Sequence, residues 1–228
     1  MNNNIAQLVN VTKQYDGQGS ETVALKNVSF TASPGELILL LGPSGSGKTT
    51  FLTLLAGLQG PTSGEAYLFG RKTTEYSQKE LQSIRSKRMG FIFQTFYLLE
   101  SLTVLENVMI VMKFAGADKK EARITAMEYL KKFGVEKLCN SYPGKISQGE
   151  KQRVAIARAL ANGAEFIIAD EPTGSLASKQ GMEIVEFLKE SVVDQKRCVV
   201  IASHDERIVK FADRVLYLSD GEVKRYNY

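Results

Sequence analysis

The chain has 228 residues and a mass of 25.2 kDa, enough for one domain with its own hydrophobic core. Its formal net charge is +4, and the charged residues are scattered along the sequence. A nucleic-acid partner is therefore not expected, because such a partner requires a basic stripe. The cysteines, Cys139 and Cys198, lack the spacing of a zinc site or a disulfide framework. This favours the reducing cytoplasm as the compartment of the chain.

Neither an export signal nor a membrane span is expected in this sequence. Residues 1–10 are polar and lack the cationic and apolar segments of a signal peptide. The most apolar stretch, residues 96–115, is interrupted by charged and polar residues, whereas a spanning helix needs about 20 predominantly apolar ones. We therefore expect a cytoplasmic chain without a membrane span of its own.

The apolar pattern predicts an α/β fold with a mostly parallel sheet covered by helices, because short apolar runs alternate with turn residues and helical patterns. Before Pro34, residues 6–11 and 23–30 instead predict half-buried strands around a Gly/Ser-rich turn at residues 16–20. A small antiparallel sheet is therefore expected at the N-terminus. The runs without alternation, typical of strands buried on both faces, are residues 37–41, 91–93, 166–169 and 198–202.

Helical patterns replace strand patterns between residues 94 and 146. They include residues 119–133, which combine a charged face with the apolar residues Ile124, Met127 and Leu130. This stretch predicts a helical insertion into the α/β core. The expected organisation is a single domain over residues 1–228, with a core of residues 1–93 and 155–228 and a helical subdomain of residues 94–154.

A glycine-rich motif follows the predicted strand at residues 37–41. It reads Gly42-Pro43-Ser44-Gly45-Ser46-Gly47-Lys48-Thr49, matches G-x-x-x-x-G-K-[ST] in full, and opens a predicted helix that includes Thr50. Its glycines let backbone N–H groups point at a phosphate, and the helix N-terminus adds its positive dipole end. Lys48 is expected to reach the β- and γ-phosphates of a nucleoside triphosphate and Thr49 to bind Mg²⁺. The motif alone does not distinguish kinases, GTPases and motor ATPases.

Polar residues follow three other predicted strands. Asp170 is expected to bind Mg²⁺, and the adjacent Glu171 to orient or deprotonate the attacking water. His204, the only histidine, is expected to contact the γ-phosphate, a structural role being the alternative. Gln94 is expected to contact Mg²⁺ or the attacking water.

A helix start is predicted at Ser147, where Glu150 three residues later completes the pattern of a capping box. A capped helix N-terminus with Ser147 and Gly149 together is also an anion site, so this segment can bind a phosphate. From the residues alone, capping is the simpler of the two interpretations.

Taken in order, these segments resemble the ATP-binding cassette family over the whole chain. The resemblance implies a P-loop NTPase core that binds ATP and Mg²⁺, and two nucleotide sites at a head-to-tail dimer interface. Each site would combine the phosphate loop of one subunit with the signature helix of the other. Tyr15 is similar to the family's adenine-stacking aromatic residue, a surface-turn tyrosine being the alternative. The corresponding family motifs are Walker A at residues 42–49, the Q-loop at Gln94, the signature at residues 147–150, Walker B at residues 170–171, and the switch histidine at His204.

Residues 91–94, 98–107 and 170–174 are similar to the subfamily of lipoprotein-release, macrolide-export and cell-division ATPases, with heterocyst glycolipid exporters as relatives. This similarity implies partners that are integral membrane permease-type subunits with large extracytoplasmic domains. The chain would then lie on the cytoplasmic face of the inner or plasma membrane, with residues 96–107 contacting a coupling helix. Either a homodimer or a heterodimer of ATPase subunits is compatible with the sequence.

The sequence departs from the family pattern at two positions. Gln148 stands in the signature where the family usually has Gly, which places a side chain close to the expected phosphate. Ala177 replaces the customary Asp of the D-loop at residues 174–177, which removes a polar contact between the two sites. The first departure favours weaker or partner-dependent closure of the dimer, and the second argues against cooperative hydrolysis by the two sites.

Some of these motifs are also compatible with other functions. The first is a nucleotide-gated regulator of a membrane complex, of the cell-division type, with no transported substrate. A soluble cassette ATPase of translation or DNA repair ranks last among cassette proteins, because those usually carry tandem cassettes or long coiled-coil insertions. A small-molecule kinase would not require residues 147–153 at a helix start, and a GTPase would need an Asn-Lys-x-Asp segment, which is absent from the sequence.

Overall fold

The computed structural model describes residues 4–17, 20–174 and 178–226. The chain divides into two compact units: the first comprises Met1–Leu81 and Leu188–Tyr228, and the second comprises Gln82–Phe187. In chain order the elements are β1 (Ala6–Gly17), β2 (Ser20–Ala32), β3 (Leu37–Leu41), α1 (Lys48–Leu55), β4 (Ser63–Leu68), β5 (Arg71–Lys72), α2 (Gln78–Arg88), β6 (Met89–Ile92), α3 (Val104–Ala115), α4 (Lys119–Lys132), α5 (Gln148–Ala161), β7 (Phe166–Asp170), α6 (Ser178–Gln195), β8 (Cys198–Ser203), β9 (Arg214–Ser219) and β10 (Glu222–Arg225).

The first unit contains the antiparallel sheet predicted at the N-terminus. Its strand order is β2-β1-β4-β5, and every pairing in it is antiparallel. β1 and β2 are longer than the predicted segments, since their pairing extends from Ala6 with Ala32 to Gly17 with Ser20. Of the predicted turn, residues 18 and 19 lie outside the described residues. The prediction of an antiparallel N-terminal sheet is therefore confirmed.

The first unit also contains four strands in the order β10-β9-β3-β8. β3 pairs in parallel with β8 on one side and β9 on the other, while β10 pairs antiparallel with β9. Every residue of β3 and β8 is buried, as predicted for strands covered on both faces. Burying each Leu or Ile side chain contributes about 1.5–3 kcal/mol to folding. Cys198 is fully buried in this core, and its burial raises the pKa of its thiol to about 12.

The second unit is built on the parallel pair β6 and β7, in which Ile92 lies opposite Ala169. Helices α3, α4 and α5 pack on one another, and α5 packs against β6. Gly90 is required at that contact, because a Cβ there would lie 2.1 Å from the carbonyl oxygen of Ala159 in α5. The parallel pairs in the two units confirm the prediction of a mostly parallel α/β core.

Helix α4 confirms the predicted helix at residues 119–133, but only one of its three named apolar residues, Leu130, is fully buried. Ala122, Ala126 and Leu130 are buried, at i, i+4 and i+8, whereas Ile124 keeps 53% of its surface exposed. Packing against α3 and α5 selects the stripe with two alanines, since small side chains allow helices to approach closely. Ile124, one of the apolar residues of the predicted helix, therefore lies outside its buried stripe.

The predicted boundaries at residues 94 and 154 stay a prediction. Within the part of the chain that the structure describes, no helix combines the length and the apolar character needed to cross a bilayer.

Candidate functional site

The phosphate loop lies in the first unit between the end of β3 and the start of α1. Gly47 caps α1 with a positive φ of 104°, and Gly45 has a φ of 78°. A Cβ on Gly47 would lie 2.4 Å from the carbonyl oxygen of Ala24 in β2. Side chains avoid both this conformation and this contact distance, so the loop requires glycine at residue 47.

Lys48 lies against the loop that precedes it. Its ammonium donates to the carbonyl oxygens of Gly42, at 2.7 Å, and Pro43, at 3.0 Å, and its side chain is buried. The Ser46 hydroxyl is also buried and has no hydrogen-bond partner in the described structure. A buried cation and an unpaired buried hydroxyl at a helix N-terminus form a donor set that fits a phosphate group. Thr49, on the first turn of α1, is exposed.

The sheet register places His204 beside the phosphate loop. Ser203, the last residue of β8, lies opposite Leu41, the last residue of β3, so His204 and Gly42 leave the sheet at the same edge. The side chain of His204 is exposed. The next residue, Asp205, is fixed by the Arg207 guanidinium, whose hydrogen bonds lower the pKa of the Asp205 carboxyl. Contact between His204 and a γ-phosphate stays a prediction.

Tyr15 lies in β1 next to the start of α1. Its hydroxyl donates to Gln59 Oε1 at 2.6 Å and lies 3.4 Å from the hydroxyl of Thr50. The Lys13 ammonium lies 5.1 Å from the centroid of the Tyr15 ring, a cation–π contact. The structure therefore brings Tyr15 and Thr50 together, while stacking of Tyr15 on adenine stays a prediction.

In the second unit, Gln94, Asp170 and Glu171 lie at one edge of the parallel strand pair. Ile92 of β6 lies opposite Ala169 of β7; Asp170 and Glu171 follow Ala169 directly, and Gln94 lies two residues after Ile92. The amide oxygen of Gln94 and the carboxylate of Asp170 are hard oxygen donors of the kind that Mg²⁺ prefers, so they fit the predicted ion. Glu171 has a positive φ of 49°, and its carbonyl accepts from the N–H of Gly174 at 3.1 Å in a tight turn.

The signature segment, residues 147–150, forms the predicted capping box at the start of α5. The Ser147 hydroxyl accepts from the Glu150 N–H, and the Glu150 carboxylate accepts from the Ser147 N–H at 2.7 Å and from its hydroxyl at 2.8 Å. These hydrogen bonds lower the pKa of the Glu150 carboxyl. Gln148 is exposed at the first helical position. The predicted D-loop departure at Ala177 lies outside the described residues.

The Ser147→Ala substitution separates capping from phosphate binding, because Ser77 and Glu80 form an equivalent capping box at the start of α2. Ser147→Ala and Ser77→Ala should each lose about 1 kcal/mol of unfolding free energy, measured by urea denaturation at pH 7. Only Ser147→Ala should also slow ATP hydrolysis. Equal slowing by both substitutions would show that Ser147 acts through fold stability alone.

The same box predicts a pH effect. Because the folded pKa of Glu150 lies below its ordinary value, the box stabilises the fold above that ordinary value, and the stabilisation is lost as the pH falls through the folded pKa. The stability difference between parent and Ser147→Ala should therefore shrink in acid.

Two residues of α5 that the sequence did not single out contact the segments after Glu171 and Gln94. Gln152 is buried and donates from Nε2 to the carbonyl oxygen of Pro172 at 2.7 Å. Arg158 donates from Nη2 to the carbonyl oxygen of Phe96 and from Nη1 to that of Tyr97, both at 2.5 Å. No local sequence pattern predicts such contacts, because their acceptors are backbone atoms that lie far away in the sequence.

Comparisons with known proteins show the family to which this chain belongs. The family model described as ABC transporter matches residues 25–174. An uncharacterized ABC transporter ATP-binding protein of Methanocaldococcus jannaschii, MJ0796, is 45% identical over 96% of this chain and 95% of its own length. A putative hemin import ATP-binding protein, HrtA, of Staphylococcus epidermidis is 40% identical over 94% of this chain and 96% of its own.

The macrolide export ATP-binding/permease protein MacB of Mannheimia succiniciproducens is 39% identical over 92% of this chain, which spans 33% of MacB. Among solved structures, the dimeric MJ0796 cassette superposes with a TM-score of 0.91 at 40% identity, over 98% of this chain and 99% of that one. A second dimeric structure of that cassette, in a post-hydrolysis state bound to ADP and Pi, superposes equally well. The motifs in order, the fold and the family match lead to one conclusion: this chain belongs to the ABC transporter family, as one of its ATPase cassettes.

Proposed function

We propose that the chain is the ATP-hydrolysing subunit of a membrane complex and that it drives export, lipoprotein release or mechanical transmission through partner membrane subunits. The observation that supports this most is the match, over 98% of the chain, to a cassette solved as a dimer and with ADP and Pi bound. The macrolide export relative, which joins ATP-binding and permease functions in its name, supports a permease-type partner.

In this proposal each residue of the site has one role. Lys48 and the N–H groups of the phosphate loop bind the β- and γ-phosphates of ATP and balance the charge that develops on them. Asp170, Thr49 and Gln94 would each offer an oxygen ligand to Mg²⁺, which would supply positive charge next to the phosphates. Glu171 accepts a proton from the attacking water, or orients that water, while His204 contacts the γ-phosphate.

Two copies of the chain, or this chain and a second ATPase subunit, would close head to tail around ATP. Ser147, Gly149 and Glu150 of one subunit would then complete the phosphate site of the other. The capped, exposed N-terminus of α5 supports this role, since it presents backbone N–H groups and a positive dipole end. Hydrolysis would reopen the pair, and membrane subunits with extracytoplasmic domains would convert that cycle into work at the cytoplasmic face.

A nucleotide-gated regulator without a transported substrate is the second candidate. Gln148 favours it, because its side chain occupies the first helical position of α5, where the family usually has Gly. Such a side chain would hinder close approach of the N–H groups to a phosphate and would weaken closure.

Reconstitution with a membrane subunit tests the proposal and separates the two candidates. The membrane subunit that binds this chain would be placed in vesicles, and ATP turnover would be measured with the subunit, with empty vesicles and with neither. We expect ATP turnover to rise only in the condition that contains the membrane subunit, because transporters couple hydrolysis to the membrane partner. Stable binding without a change in turnover would favour the regulator, and absence of hydrolysis under every condition would contradict the motor function.

A further inference from the structure

Helix α5 holds the backbone that follows Gln94. The Arg158 guanidinium donates through two different nitrogens to the carbonyl oxygens of Phe96 and Tyr97, each at 2.5 Å. The planar guanidinium thus binds two consecutive peptide groups at once, which its fixed arrangement of N–H donors allows. Arg158 is half-buried, which lowers its pKa to about 10, so the side chain stays charged at neutral pH.

The segment that Arg158 contacts has an unfavourable backbone conformation. Phe96 and Tyr97 have positive φ angles of 61° and 46°, which non-glycine residues seldom adopt. Such a conformation persists only where surrounding contacts impose it. The Tyr97 ring packs edge-on against Phe93, with centroids 5.0 Å apart, on the other side of Gln94. Contacts with the residues before and after Gln94 therefore restrain the backbone of Gln94.

The same helix holds the backbone that follows Glu171. The Gln152 amide donates to the carbonyl oxygen of Pro172 at 2.7 Å, and Gln152 is 1% exposed, so this hydrogen bond is shielded from water. Pro172 directly follows Glu171, whose φ is also positive. Gln152 stands on α5 shortly after Ser147, so the helix that begins at the signature contacts both segments within the second unit.

We infer that Arg158 and Gln152 are positioning residues through which α5 sets the backbone of Gln94 and Glu171. The inference rests on the proposed function, since it concerns how the residues of that site are held. Neither side chain touches ATP in this view. A shift of α5, caused by a subunit or phosphate at its N-terminus, would reach Gln94 and Glu171 through these hydrogen bonds.

Substitutions of Arg158 test the first contact. Arg158→Met should lower the kcat of ATP hydrolysis about tenfold, the loss expected for charge-assisted hydrogen bonds that favour the transition state. The Kd for ATP should stay within about twofold, because the lost contacts do not involve the nucleotide. Arg158→Lys, which keeps the charge without the planar fork, should recover part of the rate. Arg123→Met, an exposed arginine on α4, is the matched control and should behave like the parent.

A double-mutant cycle with Gln94→Ala distinguishes positioning from general stability. If Arg158 acts through Gln94, Arg158→Met should have little further effect on kcat once Gln94 is Ala. If the two effects on kcat multiply, or if Arg158→Met leaves kcat unchanged, the inference is overturned. A parent chain that neither binds nor hydrolyses ATP would instead contradict the proposed function.

Amide hydrogen exchange gives a readout that does not depend on hydrolysis. In Arg158→Met, exchange should accelerate at the N–H groups of Phe96 and Tyr97, which are bonded within their turn. In Gln152→Met, which keeps the side-chain shape without the donor, it should accelerate at the N–H of Gly174. Unchanged exchange at these amides in folded variants would overturn the inference for the corresponding contact. If Arg158→Met does not fold, Arg158→Lys supplies the same comparison with a smaller expected acceleration.

Discussion

The Glu171→Gln protein should lose roughly 10²–10⁴-fold in ATP turnover, the usual contribution of a general base, while still binding ATP. Glutamine has the shape of glutamate but cannot accept the proton of the attacking water. The turn around Glu171 is fixed by backbone contacts, through Gly174 and through Gln152 to Pro172, so the substitution should leave it intact. With hydrolysis blocked, the ATP-bound pair should persist. Steady-state turnover, nucleotide binding and light scattering with ATP and Mg²⁺ measure these three results.

Glu165→Gln is the matched control, because Glu165 directly precedes the same strand, β7, at its opposite end. Its carboxylate binds the Arg88 guanidinium at 2.6 and 2.8 Å in an exposed ion pair. Losing such a pair costs at most about 1 kcal/mol, so its turnover should equal that of the parent. A Glu171→Gln protein that hydrolyses ATP as fast as the parent would remove Glu171 from the proposed mechanism.

The Gly47→Ala protein should lose ATP binding and roughly 2–5 kcal/mol of unfolding free energy. One part of the lost unfolding free energy comes from placing a side chain at a φ of 104°. The other part comes from a Cβ that would lie 2.4 Å from the carbonyl oxygen of Ala24. Relief of that contact requires β2 or the start of α1 to move, and a movement of α1 displaces its first residue, Lys48. Urea denaturation measures the stability, and a fluorescent ATP analogue measures the binding.

Gly35→Ala controls for the backbone conformation alone. Gly35 precedes β3, has a φ of 79°, and has nothing within 4 Å of the position of an added Cβ. Its substitution should therefore cost only about 1–2 kcal/mol and leave ATP binding unchanged. If Gly47→Ala binds ATP like the parent, the close contact with Ala24 does not shape the phosphate loop.

The sequence determined the features of this protein that depend on neighbours along the chain. The phosphate loop could be predicted because its glycines, Lys48 and Thr49 are contiguous in sequence, so one short motif contains all the groups that would bind the phosphates. The capping box of Ser147 and Glu150 could be predicted because its hydrogen bonds join residues three apart. The buried strand before Asp170 was visible as an uninterrupted apolar run.

Only the tertiary structure decided which remote segments meet. The pairing of Leu41 with Ser203, which brings His204 to the phosphate loop, joins strands far apart in sequence, and β-pairing energy depends on partners that no local pattern identifies. The exposure of Ile124 was decided in the same way, since the packing of α3 and α5 selected the alanine stripe of α4. The contacts of Arg158 escaped prediction because their acceptors are carbonyl groups, which every residue carries and which only the folded chain places within reach.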